Sequence, residues 1–262
     1  MSPGLSPVEL SILLPALVTG LLVSATHVPL GMQVLSRGIV FIDLAIAQIA
    51  SCGVLLADQL GFEAEGFAVQ AAAFSAALAG ALLLTWTETI WPEVQEAVIG
   101  VVFVLAATSS VLLLASSVHG SEHLRDLLVG QILWVTPSRL WWTAALYAPL
   151  LLLWFTASGR LGRVGFYTLF AFAVTVSVQL VGLYLVFATL IVPPLATRRM
   201  NRGRLAASYL LATVAYASGL FLSAAWDLPS GPVIVWALVA LSLLWHVLSP
   251  AKNGTPTVSS PS

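Results

Sequence analysis

The sequence predicts an all-α polytopic membrane protein with about eight to nine transmembrane helices. Three observations carry that expectation. Of 262 residues, 59% are hydrophobic and 8% charged, with a mean hydropathy of +0.99; soluble domains carry about a quarter charged residues. Apolar runs of roughly twenty residues, long enough to cross a bilayer as helices, follow one another along the chain. The runs are continuous, whereas a transmembrane β-barrel shows ~10-residue segments of alternating polarity.

The candidate spans fall at 8–35, 38–59, 66–87, 96–117, 138–157, 165–180, 183–199, 205–225 and 231–248. The first lacks the basic start and small-residue cleavage site of a secretory leader, so it is expected to be retained. The second carries Asp43 and Gln48 among apolar neighbours. The third and fourth are joined by an acidic turn with Glu88, Glu93 and Glu96, and the polar loop 117–137 leads to the fifth. Trp134, Trp141 and Trp142 gather at that boundary, where indole rings sit at headgroup level.

The sixth and seventh runs are short and are expected to be broken half-helices within 165–199. The stretch opens on Gly182, carries Pro193-Pro194 inside an apolar run, and stops at Arg198-Arg199. Broken backbone is tolerated at membrane depth where neighbouring helices re-satisfy it, and it commonly lines a pathway. Residues 1–250 read as one transmembrane domain. Residues 251–262, rich in Pro, Ser and Thr, read as a disordered cytoplasmic tail.

Basic residues set the sidedness. With the N-terminus outside, Arg37, Arg160, Arg163, Arg198, Arg199, Arg202, Arg204 and Lys252 share the cytoplasmic face, and Arg139 departs from it. A net charge of −1 gives no footprint for nucleic acid. The single Cys52 rules out a disulfide framework and a cysteine-based metal site. No GxxxxGK[ST] phosphate loop occurs, so the chain has no ATP-hydrolysing motif of that kind.

Few polar groups carry chemistry. A carboxylate at membrane depth is a functional hypothesis by default, yet Asp43 lies six residues from Arg37 and could equally be an interfacial acid paired with it or with helix-capping polar groups. Gln48 sits nearer mid-span. Gln48 and Gln179 could serve a pathway or join helices by amide hydrogen bonds. His119, Glu122 and His123 have the nitrogen and oxygen donors that suit Zn²⁺ and related ions. Their spacing also matches the H-x-x-E-H metalloprotease pattern. Gly120 and Ser121 weaken any helix there and no later glutamate completes a site, so an enzyme is not expected. The loop either collects metal from an external protein or is a polar loop paired locally through Glu122, Arg125 and Asp126. His27 and His246 read as a packed and an interfacial histidine.

Three segments taken together resemble the permease subunits of zinc/manganese/iron ABC importers, the ABC-3 family. The first is Leu35-Ser36-Arg37-Gly38-Ile39-Val40-Phe41-Ile42-Asp43, running on through Ala47-Gln48 to Gly53. The second is Leu128-Val129-Gly130-Gln131-Ile132-Leu133-Trp134-Val135-Thr136-Pro137. The third is the Gly182-to-Arg199 stretch. Glu96-Ala97-Val98-Ile99-Gly100 and Gly219-Leu220-Phe221-Leu222-Ser223 are smaller echoes in the family's order. The resemblance implies a bacterial inner-membrane permease acting as a homodimer with ATP-binding subunits and an external metal receptor. It implies no permanently bound cofactor. The cargo would be a divalent transition metal, and ATP would be used by the partner subunit. Asp43, Gln48, His119, Glu122 and His123 are the candidate metal contacts.

Two departures stand out. Aligned on Gly53, Gln48 takes the place of the family's intramembrane histidine and Leu44 that of its aspartate, with Asp43 one residue early. The 155–166 connection is also shorter than in most members, where a longer segment resembles the element that docks on the ATPase. A non-transporting membrane scaffold or assembly factor derived from such permeases is therefore the alternative expectation.

Overall fold

The computed structural model describes residues 7–62, 66–114, 128–157 and 160–248. Among them run nine α-helices: α1 (Pro7–Arg37), α2 (Ile42–Gln59), α3 (Phe67–Ile90), α4 (Gln95–Leu114), α5 (Pro137–Ala157), α6 (Gly162–Val181), α7 (Leu183–Ala196), α8 (Arg204–Trp226) and α9 (Ser230–Leu248). No strand occurs among the described residues. Eight of the helices are long and apolar enough to cross a bilayer, and α7 is the short one.

Burial divides the helices into an interior and a shell. Within its apolar window α6 is 67% buried, whereas α4 and α5 are 11% buried and α9 is 17% buried. The core gathers α1, α2, α6 and α7 through residues such as Leu30, Ile42, Phe170, Val186 and Leu190. Around it α2 packs on α3 and α4, α3 on α6, and α9 on α8 and α7. The shell helices keep apolar side chains outward, as lipid contact requires.

Alternate connections fall at opposite ends of the bundle, as antiparallel neighbours require. At one end the α1–α2 turn meets the start of α4, where the Phe41 amide donates to a Glu96 carboxylate oxygen at 3.2 Å. Arg163 at the start of α6 stands 3.9 Å from Glu88 at the end of α3, and the Arg37 guanidinium lies 4.2 Å over the Phe166 ring. Arg160, Arg198, Arg199, Arg202 and Arg204 belong to connections at this same end. Arg139 opens α5 at the other.

The break expected within 165–199 falls at Gly182, between one full-length helix and one short one. α6 is a full span of 20 residues, about 30 Å long, and α7 has 14 residues, about 21 Å. A single residue separates them. Gly182 adopts φ 82° and ψ 162°, a conformation essentially restricted to glycine. The double proline does not break α7; it lies in the last turn, and the helix ends at Ala196.

Prolines inside helices strip a carbonyl of its amide donor, and for Pro29 and Pro194 a neighbouring helix covers it. Pro29 in α1 frees the carbonyl of Ala25, which accepts the Tyr209 hydroxyl from α8 at 2.9 Å. Pro194 frees the carbonyl of Leu190. That oxygen faces Gly31 so closely that any Cβ at position 31 would overlap it, leaving a Cα–H as the group that meets it. Past the prolines, the Pro193 carbonyl accepts from Thr197 Oγ1 at 3.1 Å, and Arg204 Nη2 donates to the Pro194 carbonyl at 3.1 Å.

Candidate functional site

A groove of about 550 Å³ runs between α2, α4, α7 and α9. Leu44 and Gln48, one turn apart on α2, line one wall, and Tyr184 and Phe187 of α7 line the other. A second apolar groove of about 560 Å³ adjoins it along α2 and α4 and shares Leu44 and Phe103. Phe41 and Phe187 stack across the seam with ring centroids 6.3 Å apart. These grooves open on the shell side of a bundle whose α4 and α9 are largely unburied.

Gln48 is the polar group that α2 presents to the groove. Its amide makes no hydrogen bond to another described residue, Gln179 included. One turn back the wall residue is Leu44, and Asp43 points elsewhere, as a rotation of about 100° per residue dictates. Asp43 is fully buried in the first turn of α2, its carboxylate beside the Asp43 and Leu44 amides and without a partner from another helix among the described residues. The positive end of the α2 dipole favours a carboxylate there. The expected pairing with Arg37 does not form; Arg37 stacks on Phe166 instead.

The sequence reading did not foresee that Glu96 would cap the α1–α2 turn. It also missed the aromatic wall, Tyr184 and Phe187 of α7 with Trp236 of α9, whose residues are indistinguishable from lipid-facing ones by sequence. His27 is interior: its Nδ1 lies 2.9 Å from Thr26 Oγ1 and 3.0 Å from the Val23 carbonyl, with Ser177 Oγ at 3.5 Å. Ser177 in turn bonds the Tyr147 hydroxyl, which also donates to the Ala173 carbonyl at 3.2 Å. His119, Glu122 and His123 lie outside the described residues. Among the described residues no three His, Cys, Asp or Glu side chains are placed to hold a metal ion together.

At the end opposite the arginines, two backbones touch. Gly130 and Gly182, both with positive φ, approach so closely that a Cβ on either would overlap the main chain of the other. A Cβ on Gly231, in the first turn of α9, would stand 2.6 Å from the Val129 carbonyl oxygen. The break between α6 and α7 is thus clamped by the segment that precedes α5.

A helical bundle with eight helices long and apolar enough to cross a bilayer among its described residues is the architecture of a polytopic membrane protein. The chain belongs to the ABC 3 transport family, whose model matches residues 9–162 and 156–249. Members of that family are membrane components of ABC transporters, not enzymes. The two matched pieces meet over the short α5–α6 connection. Among solved structures the fold is similar to PsaBC from Streptococcus pneumoniae in complex with Fab, at 20% identity and TM-score 0.67, with 91% of each chain covered. It is equally similar to a protein described as a metal-chelate type ABC transporter in an inward-facing conformation. There the identity is 16% and the TM-score 0.67, with 94% of this chain and 89% of that one covered. No curated protein matches the chain.

Proposed function

We propose that this chain is the permease of an ABC importer for a divalent transition-metal ion. The observation that carries the reading is the groove. Its α2 wall presents a free amide, Gln48, at the position where the resemblance places the family's intramembrane histidine. The groove lies open on one side, so a second copy would close it and form a path between protomers. Such a homodimer would engage two ATP-binding subunits, which use the ATP, and an external receptor that delivers the ion. No cofactor is held permanently. The arginine end is cytoplasmic on the positive-inside rule, which puts the N-terminus outside and the C-terminal tail, 251–262, inside a bacterial cell. Residues 1–250 act as one domain. His119, Glu122 and His123 would receive the ion at the outer mouth.

The donor set favours the harder ion. Amide and water oxygen suit Mn²⁺ better than Zn²⁺, which takes imidazole readily. Asp43 serves structure, because it lies off the groove wall. Uptake of radiolabelled manganese and zinc, in cells lacking their own importers, tests this. We expect manganese uptake that needs the ATPase, falls at least tenfold in Gln48→Ala and persists in Asp43→Asn. Zinc should gain on manganese in Gln48→His. The scaffold alternative draws support from the short α5–α6 connection. It would be upheld by a correctly inserted chain that moves neither metal and co-purifies with no ATPase.

A further inference from the structure

The two walls of the groove continue to the arginine end as a narrower slot of about 320 Å³ between α7 and α9. Its flanks are apolar, from Val192 and Leu195 on α7 and Val239 and Leu243 on α9. Its mouth is basic, with Arg198, Arg199 and His246. Arg204 from the same connection is already used, turned inward onto the Pro194 carbonyl. The side chains of Arg198 and Arg199 are exposed and make no hydrogen bond or ion pair with other described residues.

Inside the slot stands a hydroxyl with nothing to bond. Serine and threonine in these helices regularly donate to the carbonyl four residues back, as Ser24, Ser51, Thr85 and Thr189 do at 2.7–2.9 Å. Ser242 is 9% exposed, and its buried Oγ has no partner. It lies one turn of α9 deeper than His246, about 6 Å along the helix.

We propose that this slot binds an anionic glycerophospholipid from the leaflet at the arginine end. The occupant follows from three matched layers. An acyl chain fits the apolar flanks, an ester carbonyl accepts the Ser242 hydroxyl, and the phosphate meets Arg198 and Arg199. Ester groups lie deeper in a bilayer than phosphates, in the same order as Ser242 and the arginines. Basic pockets between spans at the cytoplasmic side are typical sites for anionic headgroups. The proposal requires only that the chain spans a bilayer and does not depend on the cargo.

The test is native mass spectrometry of the full-length, delipidated chain titrated with phosphatidylglycerol or phosphatidylcholine of identical acyl chains. One phosphatidylglycerol per chain should be retained, with a preference on the order of tenfold or more from two surface arginines. The double variant R198Q/R199Q should erase the preference and R198K/R199K should keep it. Val239→Trp, which fills the slot, should lower retention of both lipids. Equal retention of the two lipids, or a preference that survives R198Q/R199Q, overturns the proposal. So does a slot covered by a second copy, seen as Val239→Trp converting dimer to monomer with lipid retention unchanged.

Discussion

The two ends of α7 contain the residues that most disfavour helix, and they behave in opposite ways. At its start one glycine reverses the chain against another backbone. At its end two consecutive prolines continue the helix for a further turn. Proline removes a donor but keeps a helical φ, and the carbonyls around it can be covered by Thr197, Arg204 and a close Cα–H. Gly182 needs a conformation and a clearance that no other residue supplies. The lesson is that a break is fixed by where a side chain cannot fit, more than by where a hydrogen bond is lost.

Substitutions can break that contrast. The largest effect is expected from Gly182→Ala or Gly130→Ala. Each adds backbone strain of about 1–3 kcal/mol to a main-chain overlap, so neither should give a monodisperse peak on size-exclusion in detergent. Gly31→Ala comes next. It pushes α1 off the Leu190 carbonyl, with a loss of roughly 1–3 kcal/mol, read as a lower thermal midpoint. Tyr209→Phe removes the donor to Ala25 and should cost about 1 kcal/mol in the same assay. Pro193→Ala should be smallest, within about 0.5 kcal/mol, since its helix already continues. A Pro193→Ala variant as damaged as Gly182→Ala would overturn the comparison.

Much of the fold was legible because hydrophobic length is an unambiguous signal in a bilayer. The nine runs fall on the nine described helices, and every described arginine except Arg139 gathers at one end. The break itself was legible, since the runs 165–180 and 183–199 part at Gly182, but its cause was not: Pro-Pro is conspicuous in sequence, whereas the clash that demands Gly182 depends on Gly130, 52 positions away in the chain. Of the candidate site, the sequence could mark the polar residues but not the walls. Gln48 could be singled out as a polar residue at mid-span, and the 100° step to Asp43 was a matter of helical geometry. Which face met the groove depended on α4, α7 and α9, whose apolar residues look alike whether they face lipid, groove or protein.

The covered carbonyl of Leu190 has a spectroscopic consequence. A peptide C=O without an amide donor vibrates at higher frequency than its helical neighbours. A ¹³C=¹⁸O label at Leu190 would therefore absorb apart from the helix band and report on one seam, the contact of α1 with α7. If those helices slide during a transport cycle, water would reach the oxygen and the line would move to lower frequency and broaden. Gly31 thus supplies a built-in optical gauge of whether the bundle's centre moves or only its shell does.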